Sequence, residues 1–363
     1  MSGIYLHIPF CRAKCAYCDF YSVARTDYAV AFADAVEAEW LRRRGDADDG
    51  VRTVYFGGGT PSALSDSILK RLTGLFPMSE AGERTIEVNP EDVSAERAAA
   101  WADMGFNRVS MGVQSLNDSE LAAVRRRHDA AGALRAIDTL RHAGFGNISC
   151  DLIYGLPGQT PASFAHSLDV LLGTGIEHLS AYLLSYEPGT LLSRRLANGE
   201  ISEANDATVF SMYGILREKA AAAGMEHYEI SNFARPGFHS RHNSSYWNLT
   251  PYLGLGPGAH SLGPDGVRTY NPGDLRSYLS QKDISVAEEE SHAEKLDDLI
   301  IISLRTASGL DLGHFRADEK KHLLDCARPF IMSGELLRQG ETLRIPAEHW
   351  LRADAIMREL LFC

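Results

Sequence analysis

Three of the chain's six cysteines, Cys11, Cys15 and Cys18, fall within eight residues, while Cys150, Cys326 and Cys363 stand alone. This is not a disulfide framework. In a reducing compartment such a cluster reads as metal ligands or redox groups. Three thiolates this close can hold three corners of one compact iron-sulfur cluster and leave an iron open to an exogenous ligand. Structural zinc normally takes four protein ligands, and no fourth Cys or His stands at a matching short spacing, although His7 is near enough to keep zinc as an alternative.

Other polar groups fall where strands should end. Gly57, Gly58 and Gly59 follow an apolar run and precede a helix expected to be capped near Ser62. The backbone there can approach a ligand without side-chain obstruction. Alone this is a weak signal, because tight βα turns need glycine for geometry and no GKS or GKT follows to make a P-loop. Glu87, Gln114 and Asp151 also close strand-like runs. If the strands are parallel, these residues share one rim, at the carboxyl ends where barrel active sites form. Any one of them could be a satisfied buried hydrogen-bonding residue; their coincidence argues for a site. The run Arg125-Arg126-Arg127-His128 would ordinarily be a solvated helix end. His242 precedes Tyr246 and Trp247 closely enough to ligate a haem iron while the aromatics cover the macrocycle. The usual fate of a lone histidine, a packed core position, is the competing reading.

The elements that must position these groups are legible as repeating units. Strand-like runs at Ile4–Ile8, Thr53–Phe56, Thr85–Val88, Arg108–Val113, Ile148–Tyr154 and His178–Leu184 each precede a helical pattern. Phe32, Val36 and Trp40 mark a buried helix face that closes at Arg42, Arg43 and Arg44, and Ala130–His142, Pro161–Leu172 and Glu203–Ala223 are also helical in pattern. Alternating strand and helix implies a parallel sheet, in either an open barrel or a doubly wound arrangement. Beyond Gly224 a Gly-, Pro-, Asn- and aromatic-rich segment reads as irregular structure packed on the barrel. From about Glu288 a helix, a short helix before Pro329, a hairpin at Gln339-Gly340 and a helix opening at Pro346 suggest a small winged-helix-like domain.

Composition narrows the function classes. With 45% apolar and 23% charged residues the chain is an ordinary globular protein. A net charge of −12 disfavours nucleic acid, and residues 288–363, with ten Lys or Arg against fifteen Asp or Glu, disfavour a DNA-reading tail. No apolar stretch reaches the roughly 18 to 20 residues of a membrane span. The opening MSGIYLHIPF lacks the features of a signal peptide, so a cytoplasmic location is expected.

The cysteine motif, CxxxCxxC with Tyr17 before its last cysteine, resembles that of the radical S-adenosylmethionine (SAM) enzymes. Further segments resemble the HemN-like branch of that family and cover most of the chain: Tyr5-Leu-His7-Ile-Pro9-Phe-Cys11, Gly57-Gly58-Gly59-Thr60-Pro61, Glu87-Val-Asn89-Pro90, Gly112-Val-Gln114-Ser115, Asp151-Leu-Ile-Tyr-Gly155-Leu-Pro157-Gly158 and His242-Asn243-Ser-Ser-Tyr246-Trp247. The resemblance implies an α/β fold: an incomplete (βα)6 barrel over residues 1–224, the irregular segment over 225–287, and a small α+β, winged-helix-like domain over 288–363. It also implies a 4Fe-4S cluster on Cys11, Cys15 and Cys18, whose open iron takes the methionine moiety of SAM and whose electron cleaves the sulfonium to a 5'-deoxyadenosyl radical. Tyr5, Tyr17, Gly58, Gly59, Thr60, Glu87, Gln114, Arg126 and Asp151 would then form the SAM site, with Glu87 on the ribose and Arg126 near the nucleoside. The HNxxYW segment resembles that of the HemW-type haem chaperones and implies His242 as a haem ligand; His260, in a further matching segment, carries no implied role.

Within the branch, two activities compete. Haem chaperones bind haem and deliver it to client haemoproteins such as respiratory enzymes. Oxygen-independent coproporphyrinogen III dehydrogenases convert propionate side chains to vinyl groups. The dehydrogenases carry a further cysteine two residues after the last ligand, where this chain has Phe20, and an extension before the segment that begins here at Tyr5. Both differences favour a chaperone, with haem, client haemoproteins and a small reducing protein such as flavodoxin or ferredoxin as expected partners. A zinc-stabilised interaction protein is the non-enzymatic alternative, and it leaves the Gly57–Thr60 turn and the strand-end acids unexplained.

Overall fold

The structure, a computed structural model, describes residues 3–47, 50–280 and 285–362; Cys363 lies outside the described residues. Strands β1 (Gly3–Ile8), β2 (Thr53–Gly58), β3 (Glu83–Val88), β4 (Arg108–Gln114), β5 (Ile148–Tyr154) and β6 (His178–Leu183) lie side by side in chain order, each parallel to the next. Between them run α1 (Ala29–Arg43), α2 (Asp66–Thr73), α3 (Ala95–Asp103), α4 (Asp118–Ala123), α5 (Ala130–His142) and α6 (Pro161–Gly173). A doubly wound sheet reverses its strand order partway across. These six strands do not, and the fold is the incomplete (βα)6 barrel.

Period-two alternation along the strands sorts the side chains. Ile4, Leu6 and Ile8, Val109, Met111 and Val113, and Ile148, Cys150 and Leu152 join the apolar core shared with the helices. Phe32, Val36 and Trp40 of α1 pack into the same core, as the helical spacing requires. The alternate positions, Tyr5 and His7, Arg108 and Ser110, and Ser149 and Asp151, are left to the concave face. The interior of this barrel is polar, and that face carries the site.

Residues 225–287 depart from the irregular structure expected of them. After α7 (Leu191–Ala197) and α8 (Asp206–Ala222), β7 (Glu226–Glu229) and β8 (Asn232–Ala234) form an antiparallel hairpin on β6. After α9 (Arg241–Trp247), β9 (Tyr252–Leu255) pairs in parallel with the free side of β1, and β10 (His260–Leu262) and β11 (Arg268–Tyr270) continue the sheet. Following α10 (Leu275–Leu279), β12 (Val286–Ala287) completes twelve strands. The physical reason is the open barrel itself, which leaves backbone donors and acceptors unpaired on β1 and β6.

The terminal unit begins with α11 (His292–Leu304), opened by a Ser291–Glu294 capping box, and holds the antiparallel sheet of β13 (Leu310–Asp311), β14 (Leu337–Gln339) and β15 (Thr342–Arg344). The expected break before Pro329 is absent, since α12 (Ala317–Ser333) runs through it. Pro346 precedes a 3-10 turn at Ala347–Arg352 before α13 (Ala353–Arg358). No helix among the described residues is long and apolar enough to cross a membrane.

Candidate functional site

The loop after β1 carries the three thiols and is pinned from two sides by backbone hydrogen bonds. Thr60 N donates to Phe10 O at 2.7 Å and Gly59 N to Ile8 O at 2.8 Å, tying the loop to the turn after β2. Ala16 N donates to Val124 O at 3.1 Å, which secures its far end. Cys11 is buried, Cys15 and Cys18 are partly buried, and all three are free thiols. Burial pushes the Cys11 thiol up and that of Cys18 up to about 11.

One cavity of about 440 Å³ brings Cys11, Cys15 and Cys18 together with the sequence-predicted Tyr17, Gly58, Gly59, Thr60, Glu87, Gln114, Arg126 and Asp151. Two glycines shape its wall. Gly58 has φ +107°, and a Cβ there would sit 2.8 Å from the His7 ring. A Cβ on Gly59 would meet Phe10 O at 2.7 Å and Cys11 Sγ at 3.1 Å, so only glycine lets this turn close on the thiol loop. Ser62 does not cap a helix as expected; its hydroxyl donates to Asp92 at 2.8 Å.

The polar groups are held by partners from other strands. Glu87 accepts from Tyr55 OH at 2.8 Å and from Gly58 N at 3.2 Å. Burial raises its carboxyl to about 7 against these two donors, with nearby Asp151 adding to the rise. Gln114 sits at a register shift between β4 and β5 with φ +67°, a conformation that non-glycine residues rarely adopt and that turns its side chain into the cavity wall. Asp151 lies mid-strand in β5 rather than at a strand end, and reaches the cavity because it faces the concave side, where Ser110 Oγ donates to it at 3.4 Å. Burial raises its carboxyl as well.

Arg126 links the walls. Its Nη1 donates to Cys15 Sγ at 3.3 Å and its Nη2 to Asn89 Oδ1 at 2.7 Å and Gly112 O at 2.5 Å, whereas Nε is buried without a partner among the described residues. Arg125 and Arg127 are exposed, as expected of a helix end. Asn89, which also donates to Thr60 Oγ1 at 3.3 Å, belongs to the cavity; the only sequence signal for it is its place in the segment Glu87-Val-Asn89-Pro90. Tyr182 and Phe20 line it as well, and only the alternation of β6 could have pointed to Tyr182.

Three thiols on one loop, a turn with no side chain to obstruct a close ligand, an orphaned guanidinium N–H and a buried carboxylate fit a thiolate-held cluster with a charged nucleoside beside it. No group of three or more His, Cys, Asp or Glu among the described residues converges on a single-ion position.

Two predicted residues lie elsewhere. Tyr5 lines a neighbouring groove, with its OH 3.3 Å from His7 Nδ1. His242 is 1% exposed on α9, its Nδ1 2.8 Å from Thr53 Oγ1 and its Nε2 2.8 Å from Tyr246 OH. Burial holds this imidazole down at about 3. Both ring nitrogens therefore have hydroxyl partners within the core.

The family model described as the radical SAM superfamily matches residues 5–171. Across nearly the whole chain, the sequence is 34% identical to "Heme chaperone HemW" of Bacillus subtilis, covering 94% of this chain and 92% of that one. It is 35% identical to the protein of the same name from Synechocystis, covering 100% and 92%. The solved structure of the Escherichia coli radical SAM enzyme coproporphyrinogen III oxidase (HemN) shares its fold at a TM-score of 0.85, with 24% identity over 99% of this chain and 90% of that one.

Proposed function

The chain belongs to the HemW family of radical SAM proteins, and from that premise we propose that it binds a 4Fe-4S cluster, SAM and haem and passes haem to client haemoproteins. The observation that carries this reading is the single cavity uniting Cys11, Cys15 and Cys18 with the polar groups of β2 to β5. Cys11, Cys15 and Cys18 would hold the cluster, which when bound supplies one electron to SAM. Glu87 would accept from a ribose hydroxyl, and Gly58 and Gly59 would let the backbone approach the methionine end. Gln114, Asp151 and Thr60 would orient the remaining polar groups, with Tyr17 closing the wall. Arg126, already bonded to Cys15, fixes the loop and offers its free Nε–H to an anionic group. A reducing protein of the flavodoxin or ferredoxin kind would supply the electron.

Phe20, which lines the cavity and is 65% exposed, stands where the dehydrogenases carry a cysteine, and the absence of that thiol supports the chaperone reading. Anaerobic reconstitution followed by haemin titration tests the proposal. About four irons and four sulfides per chain and stoichiometric haem binding are expected. Absence of haem binding, together with conversion of coproporphyrinogen III in the presence of SAM and a reductant, would replace the chaperone with the dehydrogenase.

A further inference from the structure

We propose that His128 is a positioning residue of the SAM site, locking the strained turn that aims Gln114 into the cysteine cavity; the inference rests on the SAM-binding reading of that cavity. Ser115 N donates to Val113 O at 2.9 Å across Gln114, whose φ is +67°. With a positive φ at its centre, this three-residue turn is of the rarer, strained γ form. The Gln114 side chain lies over Gly112, where a Cβ would come within 2.8 Å of its Nε2, and it lines the cavity. A strained backbone persists only where its surroundings over-determine it. One end of this turn is fixed at Ser115, whose hydroxyl donates to the buried Glu120 at 2.6 Å. The other end is the Val113 carbonyl, to which His128 Nε2 donates at 3.0 Å. Val113 O thus accepts two bonds, one from within the turn and one from a histidine 15 residues away.

His128 lies between α4 and α5, and its side chain is 1% exposed. The loop after β3 faces the other side of its ring, with Glu91 Oε2 3.5 Å from Nδ1. Burial would raise the Glu91 carboxyl, yet His128 and Arg126 beside it hold it below the ordinary range, so it meets the ring as an anion. Arg126, two residues earlier, makes a matching pair of contacts, to Gly112 O at 2.5 Å and Asn89 Oδ1 at 2.7 Å. Consecutive carbonyls of β4 are therefore held by alternate residues of one segment, each facing the loop after β3. The two side chains differ in their reach. Arg126 also bonds Cys15 Sγ and lines the cysteine cavity. His128 stands behind the turn, lining a second cavity beside α4 and α5, and acts on SAM through Gln114 alone.

The test compares the reconstituted full chain with His128→Leu, which removes the donor to Val113 O, and His128→Gln, whose amide nitrogen can take the place of Nε2. Two readouts are taken: SAM affinity, and amide hydrogen exchange across residues 113–116 in the SAM-free chain. His128→Leu, with a native far-UV spectrum and about four irons per chain, is expected to weaken SAM about tenfold. Exchange at the turn is expected to quicken by on the order of tenfold, with the rest of β4 unchanged. His128→Gln is expected to restore turn protection and to bind SAM within about threefold of wild type. Should His128→Leu fail to fold, His128→Asn, too short to reach Val113 O, stands in its place with the same expectation. Unchanged SAM affinity in the folded variant would overturn the assignment and leave the SAM site standing. Equal losses in the leucine and glutamine variants would also overturn it, making the ring a packing element rather than a donor. Loss of the cluster in folded His128→Leu would move its action to the thiol loop and overturn it too. Failure of the cluster-loaded wild-type chain to bind SAM would overturn the SAM reading and this inference with it.

Discussion

The Nη1 of Arg126 stands 3.3 Å from Cys15 Sγ, although 111 residues separate the two in sequence. The thiol loop is thus registered against the far side of the barrel by an arginine whose other nitrogen bonds Asn89 and Gly112. The loop is held by this contact and by backbone hydrogen bonds, outside the main apolar core.

Cys15→Ala is therefore expected to abolish cluster assembly and leave the barrel folded, because Cys15 is only partly buried and belongs to no apolar cluster. Iron and sulfide analysis beside far-UV circular dichroism checks both halves. A molten far-UV spectrum would contradict this placement of the loop.

Gly59→Ala is expected to be more disruptive than its one added methyl suggests. Its Cβ would lie 2.7 Å from Phe10 O and 3.0 Å from Ile8 O, and backbone atoms cannot rotate away. A loss on the order of 1–3 kcal/mol and reduced iron retention are expected. Urea unfolding with iron content measured in parallel would show it, and full stability with full cluster content would count against the close approach.

Glu87 and His242 give opposite pH dependences. Glu87 is raised from 4.5 to about 7 by burial, so its share of stability is complete below about pH 4.5 and is lost as pH rises through 7. Glu87→Gln is expected to remove a decline on the order of 1–3 kcal/mol between pH 5 and 8. Glu229, also raised to about 7 by burial, will continue to contribute its own decline, so the difference from wild type is the quantity to measure. Parallel pH profiles for the two proteins would refute the shift.

His242 is lowered from 6.5 to about 3, again by burial, so its contribution is present above pH 6.5 and is lost as pH falls toward 3. His242→Ala also strips the Thr53 and Tyr246 hydroxyls of a partner and leaves a void. A loss of roughly 2–4 kcal/mol at pH 7 is expected, with glutamine milder than alanine. Denaturant unfolding of both variants checks this, and an alanine variant as stable as wild type would place the ring at the surface instead.

Pro329 sits exposed inside α12, where it removes a backbone donor and crowds the preceding turn. Pro329→Ala is expected to stabilise the terminal unit by on the order of 1–3 kcal/mol. A melting temperature that does not rise would mean that the helix already bends to relieve the clash.

The spacing of Cys11, Cys15 and Cys18 and the six strand-helix units were legible in sequence because both are local: a loop too short to separate its thiols, and apolar periods that set which face of each element is buried. The alternation of Ile4, Leu6 and Ile8 with Tyr5 and His7 already implied a polar inner face. The tertiary structure decided what depends on partners distant along the chain. Asp151 serves the cavity from mid-strand through its facing rather than its position in the run. The segment after Gly224 became strands because the open flanks of β1 and β6 needed hydrogen-bond partners. The environment of His242 was set by Thr53, 189 residues away, and no periodicity around the histidine encodes that contact. Hydrogen-bond partners of a buried polar group are chosen by packing, so its accessibility to a ligand is a property of the folded chain.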